Sequence, residues 1–152
     1  MQRFIFSFIL VCISLCLLAQ NTDLQDPISI EFRQDTMMIE QHVADILTRN
    51  QTNAGMQQAI STLEQGYDSL LNKYYQMLQN KLKEEDRDIL AESQRNWIKF
   101  RDSEKSLILA LSSDRYTEEV TLQSLIAAGM ISDLTKDRLI DIYHYLTLGI
   151  DE

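Results

Sequence analysis

"SQRNWIKFRDSEKS", residues 93–106, decides how this chain is read. Its residues are strong helix formers without glycine or proline, so the segment is helical. Leu90, Gln94, Trp97, Arg101, Glu104, Ile108 and Leu111 alternate steps of four and three and share one stripe of that helix. Gln94, Arg101 and Glu104 are polar members of an otherwise apolar stripe. A buried Arg or Glu without a partner costs several kcal/mol, so Arg101 and Glu104 either pair with each other, being three apart, or sit where the stripe opens to solvent. Gln94 and the indole N–H of Trp97 need partners too, and Asp68, Asn72 and Tyr75 of the preceding segment are candidates if the two helices run antiparallel. Two readings stay open: a buried polar network that sets helix register, or a binding groove.

Outward from this stripe the rest of the chain is also helical. With 4 glycines and a single proline, Pro27, in 152 residues there are too few breakers for a strand-and-turn protein. Apolar residues recur at helical spacing from Ile28 to Leu47, through Met56, Ile60, Leu63, Tyr67, Leu71, Tyr74 and Leu78, and through Ile131, Leu134, Ile142 and Tyr145. The expected helices are 27–49, 53–82, 85–112 and 117–147. Asp26 before Pro27 suits a helix start, and Thr117 followed by Glu118 and Glu119 suits another. "NKLKEEDRD" (residues 80–88) holds no breaker, so residues 53–112 are either one long helix or two. A turn is preferred because two long amphipathic faces bury each other by folding back. The fold class is therefore an all-α, compact antiparallel helical bundle of about four helices.

The N-terminus is of a different kind. After Met1, Gln2 and Arg3 comes FIFSFILVCISLCLLA, 16 residues without a charge, closing on Ala19. A short basic start, an apolar core and a small residue define a secretory signal peptide, so residues 1–19 are assigned to it and 20–152 to the domain. An uncleaved anchor is the alternative, although the apolar run falls short of the ~20 residues of a spanning helix. Cys12 and Cys16 both lie in this segment. The mature chain is thus without disulfides, and packing alone must stabilise it. It carries 13 basic and 23 acidic residues, a charge of about −10. That charge disfavours nucleic acid and anionic lipid as partners; it is compatible with a cationic protein without selecting one, acidity being by itself mostly a solubility device.

Catalytic chemistry finds little support. His42 and His144 have no metal-ligand spacing, there is no Gly-rich phosphate loop or G-x-S-x-G elbow, and the acid pairs sit at helix starts, where the dipole accounts for them. No enzyme activity, cofactor or metal is expected. Tyr67, Tyr74, Tyr75, Tyr143 and Tyr145 with Met37, Met38, Met56 and Met77 are core residues by spacing, or line a groove for a partner helix.

"LAESQRNWIKFRDSE" (residues 90–104) resembles the L-x-x-x-Q-R-x-W-I-x-[FY]-R-D-x-E segment of the lysozyme inhibitor LprI-like N-terminal domain family. "TNAGMQQAISTLEQGYDSLLNKYYQML" (52–78) and "LTKDRLIDI" (134–142) resemble its flanking segments. Lys105 and Ala59 stand where many relatives hold cysteine. The motif positions here are Gln94, Arg95, Trp97, Ile98, Arg101, Asp102, Glu104, Thr135 and Arg138, serving as scaffold or as a binding surface. The resemblance implies an exported protein, periplasmic or secreted, that docks an acidic surface on a lysozyme-type muramidase. A structural or assembly module of the envelope, binding another protein, is the alternative. A hydrolase using Arg101, Asp102 and Glu104 is a distant third.

Overall fold

The computed structural model describes residues 26–116 and 118–148; the signal-peptide segment lies outside them. Four helices follow one another: α1 (Pro27–Arg49), α2 (Asn53–Lys81), α3 (Glu84–Leu111) and α4 (Val120–Leu146). Close contacts divide the chain after Gln34. In the first unit, Pro27 opens α1, and the Asp26 carboxylate accepts the backbone N–H of Ser29 at 3.1 Å. That is the N-cap expected of Asp26-Pro27.

In the second unit each helix boundary has a local cause. Thr52 caps α2, its hydroxyl oxygen accepting the N–H of Gly55 at 3.3 Å. A Cβ on Gly55 would collide with the backbone carbonyl of Asn50, so only glycine fits this close approach of loop and helix. Residues 53–112 are two helices, since Leu82 and Lys83 are extended, at ψ 149° and 156°. Glu84, Glu85 and Asp86 then occupy the first turn of α3, where the dipole favours them. Arg87 Nε donates to the carbonyl of Leu82 at 2.9 Å, satisfying a group the end of α2 leaves free. At the end of α3 the Ser112 hydroxyl donates at 2.8 Å to the Ile108 carbonyl, which also accepts the Ser112 N–H at 3.0 Å. α4 departs from expectation by starting at Val120 after Glu119, which makes no side-chain cap; Thr117, the expected cap, lies outside the described residues.

Successive helices alternate in direction. Asp35 meets Lys73 and Glu40 meets Tyr67, so α1 from Asp35 onward runs against α2. Leu78 and Leu82 share a groove with Leu90 and Tyr145, and Glu64 and Asp68 share another with Arg101, Lys105 and Thr135, so α3 runs against both α2 and α4. The most extensive helix contact is between the parallel helices α2 and α4. This corrects the expectation that α2 and α3 bury each other. On α3 only Leu90 and Ile108 are buried, whereas α4 presents Ala127, Ile131, Ser132, Leu139, Ile142 and Leu146. Ala59 on α2 and Ser132 on α4 are small and buried, which suits the close approach of these two backbones. Tyr67, Leu71, Tyr74 and Leu78 complete this core, each such side chain contributing roughly 1.5–3 kcal/mol by leaving water. Met56 and Tyr145, expected in the core, remain partly exposed because they fall at the rims of their stripes. None of the described helices is long and apolar enough to cross a membrane.

Candidate functional site

The α2–α4 pair has a polar cluster on each side. On the α3 side the centre is Arg138, only 6% exposed. Its Nε donates to Gln94 Oε1 at 3.0 Å and its Nη2 to Ser93 Oγ at 3.1 Å, while Asp141 lies 4.0 Å from Nη1. Gln94 is thus on the stripe to receive a cation from α4, and not to pair with Asp68, Asn72 or Tyr75 on α2. The Trp97 ring has two guanidinium groups against it, Arg101 at 5.1 Å and Arg138 at 6.0 Å from the ring centroid. Cation–π attraction and apolar contact hold the ring there.

Arg101 reaches the other way. Its Nε and Nη2 donate to Asp102 Oδ1 at 3.1 and 3.0 Å, and its Nη1 lies 3.8 Å from Asp68. One helical turn on, Lys105 pairs with Glu64 at 3.4 Å. Arg101 therefore answers to Asp68 and Asp102 and not to Glu104, which is half-buried at the edge of the stripe. Glu64, Asp68, Arg101, Asp102, Lys105 and the buried Thr135 line an open groove of about 390 Å³. Its two cations are paired with its three carboxylates, which leaves the groove one negative charge in excess. Arg95 and Ile98 are exposed on the flank of α3 that faces Asn72 and Tyr75. The motif is thus split: Gln94, Trp97, Arg101, Thr135 and Arg138 come together, while Arg95, Ile98 and most of Asp102 face solvent.

The α1 side carries a cluster that the sequence pattern does not single out. Asp35 Oδ2 accepts from Lys73 Nζ at 2.6 Å and from the Tyr74 hydroxyl at 2.9 Å. Glu40 Oε1 accepts from the Tyr67 hydroxyl at 3.1 Å and from Lys136 Nζ at 3.2 Å. Glu40 joins Tyr67 of α2 to Lys136 of α4, while Arg101 and Gln94 of α3 reach Asp68 of α2 and Arg138 of α4, so α3 and the part of α1 from Asp35 onward flank the α2–α4 pair. The one available signal was that Tyr67 and Tyr74, seven apart on a buried stripe, each carry a hydroxyl that needs an acceptor. These tyrosines are core; Met37 and Met38 on α1 are exposed, so the Tyr and Met residues do not form one groove.

Burial raises the Tyr67 pKa above its ordinary value, and the Tyr67 hydroxyl, then Glu40, raise that of Lys136. Both groups hold their protons more tightly folded than unfolded. Their contribution to stability is therefore complete below the ordinary values of about 10 and 10.5 and is lost as pH rises through the raised ones. Thermal unfolding followed from neutral pH to pH ~11 should show a fall in midpoint that begins near pH ~10, and Tyr67→Phe should flatten it. An unchanged alkaline profile in Tyr67→Phe would contradict this account.

The described residues form a helical bundle whose grooves are crossed by paired charges, and no group of His, Cys, Asp and Glu among them could hold a metal ion. The family model described as "Lysozyme inhibitor LprI" matches residues 46–141, more than half of the chain. The chain belongs to that family. No curated protein and no solved structure matches it.

Proposed function

We propose that this protein is an exported, non-catalytic inhibitor that docks on a lysozyme-type muramidase. The single observation carrying the proposal is membership of the lysozyme inhibitor LprI family over residues 46–141. The formal charge of −9 supports it, since a cationic lysozyme is drawn to an acidic surface and long-range attraction raises the association rate. In this reading residues 1–19 direct export and are removed, residues 20–152 form the inhibitor domain, and the buried members of the motif act as scaffold. Arg138, Gln94 and Trp97 hold α3 in register, and the partner is met elsewhere.

Cell fractionation should recover a form starting near Gln20 outside the cytoplasm; a full-length cytoplasmic product would sink the export step. That exported form should slow lysis of peptidoglycan by a cationic lysozyme, with direct binding of defined stoichiometry in calorimetry at physiological salt. The association rate should fall as salt rises, because exposed charges are screened beyond ~8 Å. A charge-matched unfolded polyanion serves as control, since it sequesters a cationic enzyme without docking. Absence of binding to any lysozyme type by the folded protein would favour the envelope-assembly alternative.

A further inference from the structure

The seam between α3 and α4 is uncovered on the side away from α2. Ile108 packs on Ala127 and Ile131 across these antiparallel helices. On two antiparallel right-handed helices that face each other, residues rotated in the same sense from the contact line emerge on the same side of the pair. Residues 100, 107 and 111 of α3 and 122, 126 and 130 of α4 are so rotated. Phe100, Leu107, Leu111, Leu122, Ile126 and Met130 thus form one largely apolar strip, each residue between 47% and 53% exposed, with half-buried Glu104 on its inner edge. Further along α4 the same face carries Asp133, Asp137 and Asp141, all exposed, opposite uncharged Ser93 and Asn96 on α3. Asp141 lies 4.0 Å from Arg138; among the described residues Asp133 and Asp137 have no cation against them.

We propose that this face, apolar at one end and acidic at the other, is where the partner docks, and that the partner is a cationic protein presenting apolar side chains beside lysines or arginines. The inference rests on the binding role proposed above and assigns it a surface. Charge complementarity selects the occupant. Apolar burial supplies affinity while unneutralised aspartates fix the register of a basic partner. A second copy of this chain would instead bring another strongly acidic surface to the same row.

Two double variants test it, Leu107→Ser with Ile126→Ser, and Asp133→Lys with Asp137→Lys, against Met37→Ser with Met38→Ser on α1 as control. All alter exposed side chains, so an unchanged unfolding midpoint verifies that each is folded. Three probes are used on the exported protein: a cationic lysozyme, a synthetic amphipathic leucine–lysine helix, and polylysine of equal charge. The parent protein should bind the amphipathic helix about tenfold more tightly than polylysine, and each seam variant should lose about tenfold or more toward both the helix and lysozyme, with the control unchanged. Lysozyme binding that survives in both seam variants would overturn this inference and leave the inhibitor reading standing. Capture of the amphipathic helix at the seam without any lysozyme binding would do the reverse. Equal binding of helix and polylysine, or a dimer of the parent protein that the seam variants dissolve, would overturn the docking face.

Discussion

Tyr74→Ala should destabilise the protein by about 3–5 kcal/mol, the largest loss expected from any single truncation in the α2–α4 core. The ring is fully buried, at 0% exposure, and its hydroxyl donates to Asp35 at 2.9 Å. Truncation opens a cavity between two helices that already approach closely, so little collapse can fill it. It also removes one of the two described donors of the Asp35 carboxylate, the other being Lys73. A single domain has only about 5–15 kcal/mol of stability to lose, so the variant should sit near the edge of folding at growth temperature. Tyr74→Phe separates the two contributions. It keeps the ring volume and should lose about 0.5–3 kcal/mol, the range spanning a neutral and a charge-assisted hydrogen bond. Denaturant midpoints at constant slope measure both. A Tyr74→Ala loss below ~1 kcal/mol would mean that the core does not depend on this ring.

Arg138→Ala should cost about 2–3 kcal/mol, a magnitude set by loss of charge-assisted hydrogen bonds to Gln94 and Ser93 from a side chain that is 6% exposed. The loss stays below that of a broken buried ion pair, because Asp141 is 56% exposed and resolvates when its cation is removed. Arg138→Lys keeps the charge but not the planar fork that reaches Gln94 and Ser93 together, so it should recover less than half of the loss. The Trp97 emission should shift in the alanine variant, since one of the two guanidinium groups against the ring is gone. If Arg138→Ala unfolds at the parent's denaturant midpoint, the register role of this cluster is wrong.

Both effects depend on contacts between helices, and that is where the legibility of the chain changes. The ends of α1 and α2 follow from residues within one turn of them: Asp26 and Pro27 at one start, Thr52 and Gly55 at the other. The turn at Leu82 and Lys83 was expected only because two long amphipathic faces bury each other by folding back, and the face of α2 is in fact covered chiefly by α4. The stripe told which face of α3 turns inward from Leu90 to Ile108, but not at Leu111, which is 53% exposed, and it told that Gln94 and Arg101 needed partners. It could not name them. Asp68 was among the partners expected from α2, but it serves Arg101 and not Gln94; Arg138, 44 residues beyond Gln94, was not among them.

From the residues alone came the helical class, four helices, their inward faces, the acidic charge and the motif whose resemblance the family match bears out. Periodicity and capping are short-range, since an amphipathic stripe records that a face is buried and its cap records where the helix begins. Only the tertiary structure decided that α2 pairs most closely with α4, that α3 and the part of α1 from Asp35 onward flank this pair, and that Glu40 joins Tyr67 to Lys136. Several apolar faces of similar width compete for one another in such a chain. The choice among them turns on residue volume, here the small Ala59 and Ser132, and on which charges meet when the helices close. Those quantities belong to pairs of segments distant in sequence, and no single segment contains them.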